Sequence, residues 1–389
     1  MSKSILISGL LCTFLGAESF DNFLQKAIKS SPYLQSSAVA VNQAKEQSSL
    51  LTRYENPSLE LEYSDFNPDV GKSVSGYRVN IAQPIRLWGV AENREKLAKD
   101  TLKNADVSYV RKKSMFIRDI SLSYITYMNR LNIYHLTGEE VQIAQKIYAI
   151  SLARYNAGTI SKALMLQAKI DYEMVQIKNK SLQLSSSQAY YALLASAGID
   201  EELELDDNYI FIPNRDKENT NNPNILLLQA EQNKALSQAK LNANKVEWIN
   251  VFAELESAPN QDITRVGFNF PLAIFNTKSQ EYSIAKLENS RIGLLVENEK
   301  KQLNIMNVRL EKERSSLQEL SLSHEAMLHS QEELLEMFQN GYKIANINLL
   351  QLQDIKNKLI ATKKALIQIK TALNKNAVLQ NYNQGKYND

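Results

Sequence analysis

The placement of proline constrains this chain more than any other feature. The eight prolines stand at 32, 57, 68, 84, 213, 223, 259 and 271, leaving 85–212 and 272–389 uninterrupted. A proline inside a helix removes a hydrogen bond and clashes with the preceding turn, so only these two stretches are free to form very long helices. Their apolar residues repeat accordingly. From Ile117, the positions Ile120, Tyr124, Tyr127, Leu131, Tyr134, Gly138, Val141, Gln145, Tyr148, Leu152 and Tyr155 alternate steps of three and four. So do Ile292, Val296, Glu299, Leu303, Met306, Leu310, Glu313, Leu317, Leu320, His324, Met327, Gln331, Leu334 and Phe338. That spacing predicts heptad packing of helix on helix. A helix over 86–154 would be ~100 Å long, too long for one globular core, and belongs in a wall of helices. Asn156-Ala157-Gly158 and Asn340-Gly341 are the expected turns of two helical hairpins.

Period-two segments lie between the helical stretches. Ser58-Leu59-Glu60-Leu61-Glu62-Tyr63-Ser64 and Tyr77-Arg78-Val79-Asn80-Ile81-Ala82 alternate around a polar loop from Asp65 to Gly76. Ile249 to Glu256, with Phe252 out of pattern, and Arg265 to Phe270 alternate around Pro259-Asn260. The halves correspond: Pro32 with Pro223, Leu59–Glu62 with Ala253–Glu256, Gln83-Pro84-Ile85 with Phe270-Pro271-Leu272, and Leu164–Gln167 with Leu350–Gln353. The chain reads as an internal duplication. The expected divisions are a signal peptide over 1–17 and a first repeat over 18–205, with a hairpin 57–85, a long helix 86–154 and a helix 160–197. A linker over 206–222 leads to a second repeat over 223–381, with a hairpin 248–272, a long helix 276–339 and a helix 347–381, and then a tail over 382–389.

Lys and Arg number 45 against 43 Asp and Glu, a net charge of +2, so a basic face for a phosphate backbone is lacking and nucleic acid is excluded as a partner. After the N-terminal apolar run from Ile5 to Leu15, no segment reaches the ~20 apolar residues of a helical membrane span. Lys3, that run, and Gly16-Ala17 read as a secretory signal cut after Ala17. A lipoprotein start at Cys12, the single cysteine, is disfavoured by the bulky Leu11 before it.

Four amphipathic strands do not close a cylinder, and an open sheet would leave unpaired backbone in hydrocarbon. Membrane barrels have at least eight strands, so copies of the chain must pool theirs: two give eight, three give twelve. An aromatic residue marks each helix–strand junction, Tyr54, Trp88, Trp248 and Phe275, as at a membrane interface; ordinary hinge packing is the other reading. With Leu59, Leu61, Tyr63, Tyr77, Val79 and Ile81 toward lipid, Glu60, Glu62, Arg78 and Asn80 face the lumen. By the same alternation so do Glu254, Glu256, Arg265 and Asn269.

With these features the sequence resembles the outer membrane efflux protein (TolC) family. The duplication and the segments Arg154-Tyr155-Asn156-Ala157-Gly158-Thr159 and Leu350-Gln351-Leu352-Gln353-Asp354 carry the likeness. Glu55-Asn56-Pro57-Ser58-Leu59-Glu60-Leu61-Glu62 and Gln83-Pro84-Ile85-Arg86-Leu87-Trp88-Gly89, followed by Arg94, are most similar to its heavy-metal export branch of CzcC and CusC type. That branch includes chains serving copper or cadmium–zinc–nickel export in Helicobacter-like bacteria. The resemblance implies a mainly α fold with a small β part, a homotrimer with a twelve-stranded barrel in outer-membrane lipid, and a helical tunnel across the periplasm. It also implies docking to a periplasmic adaptor and an inner-membrane pump of RND type, and no cofactor. It assigns the gate and adaptor contacts to the helix tip, at Tyr155, Asn156, Gly158, Thr159, Asn340, Gly341, Tyr342, Gln351 and Asp354. Drug-exporting relatives carry several carboxylates there, whereas this chain has Leu164 and Gln351 and keeps only Asp354.

Enzyme chemistry finds little footing. His324 and His329 are five apart, about 140° around a helix, where a zinc-protease motif needs four. His324 and Met327 suit a soft ion but lie on the heptad seam, where packing is the default. Gly71-Lys72-Ser73 ends like a phosphate loop, yet Phe66 stands where its first glycine belongs. The remaining alternatives are a duct for drugs or other small molecules and a periplasmic coiled-coil scaffold.

Overall fold

The proline-free stretches form the helices they permit. A computed structural model describes residues 18–67, 69–213 and 222–388. The expected signal peptide with Cys12, Pro68, the linker residues 214–221 and Asp389 of the tail lie outside the described residues. The order is α1 (Phe20–Ser30), α2 (Pro32–Thr52), β1 (Ser58–Phe66), β2 (Val74–Arg86), α3 (Val90–Asn156), α4 (Lys162–Ala197), α5 (Pro223–Asn242), β3 (Trp248–Ala258), β4 (Gln261–Asn269), α6 (Ser279–Lys343) and α7 (Leu349–Asn383).

The halves repeat in their punctuation. Pro32 and Pro223 each open a helix, α2 and α5, behind a capping residue. Ser31 Oγ accepts from the Leu34 amide at 3.4 Å, and Asn222 Oδ1 accepts from Asn224 and Ile225 at 2.9 and 3.3 Å. Ser161 caps α4, and Asn348 with Gln351 forms a capping box on α7. The long helices α3 and α6 end in the same closing turn. Thr159 N donates to Arg154 O at 2.9 Å and Asn346 N to Gly341 O at 3.0 Å, each across a left-handed residue, Gly158 at φ 72° and Ala345 at φ 65°. These turns align at an offset one residue beyond the match of Leu164–Gln167 with Leu350–Gln353, and under that offset buried Met165 is the equivalent of buried Leu352.

Asn340 and Gly341, expected as the second turn, are still helical. Gly341 serves close approach instead: a Cβ there would lie 2.6 Å from Ile347 Cγ1. The left-handed position falls to Ala345, which strains against its own Cβ. Ala345→Gly should therefore stabilise the protein by roughly 0.5–1 kcal/mol, after the greater unfolded freedom of glycine is subtracted. A thermal midpoint that fails to rise would show the strain to be absent.

The described residues form two compact units. One comprises those within Met1–Leu34, Lys113–Asn219 and Leu303–Asp389, the other those within Gln35–Lys112 and Thr220–Gln302. The first has an aromatic core in which Phe20 meets Tyr124, Tyr209 and Phe211 at ring-centre distances of 4.7, 4.9 and 4.9 Å. Burial pushes the Tyr124 phenol well up. Burial and the hydrogen bond to Asp21 push that of Tyr209 up to about 12. The start of the expected linker is thus part of this core: the amide of buried Phe211 donates to Asn374 Oδ1 at 3.1 Å, and Asn381 Nδ2 to Ile212 O at 3.0 Å. Nor is the expected tail free, since α7 runs to Asn383 and Tyr387 packs on the same core.

The seams follow the expected stripe in part. Ile117, Ile120 and Tyr124 are buried, but farther along α3 the buried positions are Ile125, Met128, Leu136, Thr137, Glu140, Ala144, Ile147 and Ser151, while Leu152 and Tyr155 are exposed. On α6, Ile292, Val296, Leu303 and Leu310 are buried, whereas Met306, Leu320 and Met327 are exposed. A helix drifts about 20° per heptad against a strict seven-residue repeat, so a stripe extrapolated over several heptads leaves the packed face.

In the second unit β1-β2-β3-β4 form one antiparallel sheet in sequence order. The strands run further than their alternation suggests: Asp65 pairs with Ser75 and Phe66 with Val74, inside the expected polar loop. Helices α3 and α6 begin at Val90 and Ser279 instead of 86 and 276, because β2 continues through Arg86 and Lys278 takes a left-handed φ of 52°. Val90, Leu97 and Leu241, with Leu51 and Leu87, pack beneath the sheet end.

Candidate functional site

Register places the charged residues of the sheet in two rows on one face. Glu60, Asn80, Glu254 and Arg265 stand side by side across the four strands, and Glu62, Arg78, Glu256 and Ile263 form the next row. Arg78 contacts Glu62 and lies 3.9 Å from Glu60, to which Asn80 Nδ2 also donates at 3.4 Å. Arg265 contacts both Glu254 and Glu256. Asn269 pairs with Asn250 toward the helix end. Phe252, the break in the alternation, shares this face: its ring lies over Gly267, where a Cβ would sit 2.8 Å from Cζ. Ile263 and Phe252 are apolar members of the face that alternation in charge alone does not reveal.

The opposite face is apolar and open. Leu59, Ile81, Ala253 and Val266 form one row, and Leu61, Val79, Leu255 and Thr264 the next. Leu59, Leu61, Tyr63, Tyr77, Leu255, Val266 and Phe268 are all exposed. A patch of this kind on a sheet requires a lipid or protein cover. Among the described residues, β1 and β4 have one neighbour each and so leave two free edges.

The junction aromatics divide into two kinds. Trp88 and Phe275 are 99% exposed. Tyr54 and Trp248, their rings 6.1 Å apart, flank the Arg86 guanidinium at 4.7 and 4.8 Å. Arg86 donates to Thr52 O at 2.7 Å and to Arg53 O, satisfying carbonyls at the C-terminus of α2, and Arg94 donates to Leu51 O at 3.3 Å. Glu247 contacts both Arg94 and Lys278. Burial pushes its carboxyl up, but the two cations outweigh that and hold it below the usual carboxylate range.

At the helix tip, Tyr155, Asn156, Gly158 and Thr159 are exposed, as are Asn340, Gln351 and Asp354. Tyr342 is buried: its hydroxyl meets Ser151 Oγ at 2.9 Å and Arg154 lies over its ring at 4.6 Å, donating to its carbonyl at 2.8 Å. Gln351 is occupied by the capping box, and Asp354 pairs with Lys358 at 2.7 Å. The sequence reading missed Lys356, whose wholly buried ammonium pairs with Asp171 at 2.6 Å. Opposite charges 185 residues apart give no local signal.

Among the described residues no group of three or more His, Cys, Asp or Glu is placed to hold a metal, and no helix is long and apolar enough to cross a membrane. His324 is half-buried and Met327 exposed on α6. A cleft of about 730 Å3 in the first unit includes Tyr127, His135, Tyr190 and Glu202 in its lining. Tyr190 there bonds the backbone of Leu203, and Tyr191 bonds Glu202.

The sequence profile of the family described as "Outer membrane efflux protein" matches residues 23–199. A sequence search of curated proteins returns no match. Among solved structures the fold is similar to that of CusC, with a TM-score of 0.81 at 15% identity over 94% of this chain and 91% of that one. It is also similar to the Campylobacter jejuni CmeC outer membrane channel, at 0.74 and 15% over 94% and 85%, and to the outer membrane protein VceC of Vibrio cholerae, at 0.77 and 15% over 94% and 95%.

Proposed function

We propose that the chain is an outer membrane efflux protein, the family whose profile its residues 23–199 match, and that it is the exit duct of a heavy-metal export system; the fold it shares with solved outer-membrane channels along most of its length supports the reading. It resides in the outer membrane and extends into the periplasm, as a transport component with no enzymatic role. One observation carries the duct reading: a four-stranded sheet with an exposed apolar face, a charged opposite face and two unpaired edges. Four strands do not enclose a lumen, so identical copies supply the rest, and three give twelve strands around a water-filled bore. A soluble scaffold would have no use for an apolar sheet face left open, and such a protein would wash from membranes with salt.

Glu60, Glu62, Arg78, Asn80, Glu254, Glu256, Arg265 and Asn269 then line the lumen, and Trp88 and Phe275 anchor the lipid interface. The exposed tip residues Tyr155, Asn156, Gly158, Thr159, Asn340 and Asp354 meet a periplasmic adaptor, which couples the duct to an inner-membrane pump of RND type. Energy comes from that pump, and the duct binds its cargo weakly. The metal assignment, copper or cadmium, zinc and nickel, is supported by the excess of Glu over Arg on the lumen face and by the segments Glu55–Glu62 and Gln83–Gly89 with Arg94. A strain lacking the protein should become sensitive to one or more of copper, zinc, cadmium and nickel. Sensitivity confined to dyes and detergents would overturn the metal cargo and leave a duct for organic compounds.

A further inference from the structure

Resting on the duct reading, we propose that Arg78 and Arg265 set the ion selectivity of the lumen, each by masking carboxylate charge within a clamp of its own. The clamps occupy equivalent places in the two hairpins. In the first, Glu60 and Glu62 of β1 face Arg78 of β2; in the second, Glu254 and Glu256 of β3 face Arg265 of β4. The glutamates are two apart and so share a face, and one guanidinium between them reaches both, at 3.9 Å and in contact in the first clamp and in contact twice in the second. A guanidinium remains charged across the physiological range, so the mask is permanent. Each clamp leaves one carboxylate charge uncompensated, half of what a count of glutamates suggests.

The clamps differ in what they show to water. Glu60 and Glu62 are 61% and 45% exposed on β1, an edge of the four-stranded sheet, whereas Glu254 and Glu256 are 12% and 27% exposed on β3, which has a strand on either side. The difference follows strand position, and each arginine cancels the same single unit of negative charge within its clamp. Asn80 holds Glu60 without neutralising it. A duct built in this way favours cations only mildly, which suits passage without a tight site.

The test is the reversal potential of the full chain in a planar bilayer under a potassium chloride gradient. Native protein should prefer potassium weakly. Arg78→Gln with Arg265→Gln doubles the uncompensated charge and should raise the cation-to-anion permeability ratio by about two- to fourfold, with each single change raising it by less. Glu60→Gln with Glu254→Gln leaves each arginine one glutamate and should bring the ratio to near one. Native channels that conduct, with ratios that stay put or move in the same direction in both variants, would overturn the masking role and leave the duct intact. Native protein that gives no conductance would overturn the duct itself. If the arginine variant fails to assemble, the glutamate variant decides alone, and an unchanged ratio there counts against the proposal.

Discussion

Arg86→Ala should destabilise the protein by about 3–5 kcal/mol, among the largest effects of any single substitution in the second unit. The side chain is nearly buried at the end of β2, and it performs two tasks at once. Its guanidinium donates to the carbonyls of Thr52 and Arg53, which a helix end would otherwise leave without partners. It fills the gap between the Tyr54 and Trp248 rings, each contact adding about 0.5–1 kcal/mol. Alanine keeps the backbone pairing of this position with Trp248 but removes both side-chain interactions and leaves two aromatic faces apart. Arg86→Lys should recover less than half of the loss, since an ammonium lacks the planar fork that reaches two carbonyls while stacked between rings. Melting of the purified protein followed by circular dichroism measures both variants; a loss under about 1 kcal/mol for alanine would mean that the carbonyls are solvated without Arg86.

The sequence carries this site unevenly, for a physical reason. Interactions with a short period leave a pattern: two-residue alternation places Glu60, Glu62, Arg78 and Glu254 on one face, and a capped proline marks the start of α2 and of α5. Interactions between distant segments leave none. Nothing near Phe211 announces that it packs on Phe20, and a polar stretch after it reads as a linker. The heptads of α3 are legible near Tyr124 and lost by Leu152, because seven residues do not fit two turns and the error accumulates. Gly341 looks like a turn residue because glycine usually is one, yet here it clears space for Ile347 and the left-handed turn falls to an alanine. Tyr342 looks like an exposed tip residue by position and is buried by its bond to Ser151.

The least legible feature yields the second large effect. Asp171→Leu should cost about 3–5 kcal/mol, because it strands the ammonium of Lys356, whose side chain is wholly buried, without its counterion. The converse change should cost less. Lys356→Met frees Asp171, but that carboxylate is 26% exposed and has water within reach, so its loss of a partner is partly repaired. The double variant Lys356→Met with Asp171→Leu should lie within about 1 kcal/mol of the native protein, or above it, since an apolar pair of similar bulk avoids the desolvation that a buried ion pair has to offset. The three measurements therefore have a required order: the aspartate change worst, the lysine change intermediate, the double change mildest. Simple packing loss would make the double change the worst of the three, and an exposed ion pair would make all three small. Denaturant or thermal unfolding of the purified variants separates these cases. The order of effects carries the argument, because it tests whether the charge on Lys356 requires Asp171 or merely lies beside it.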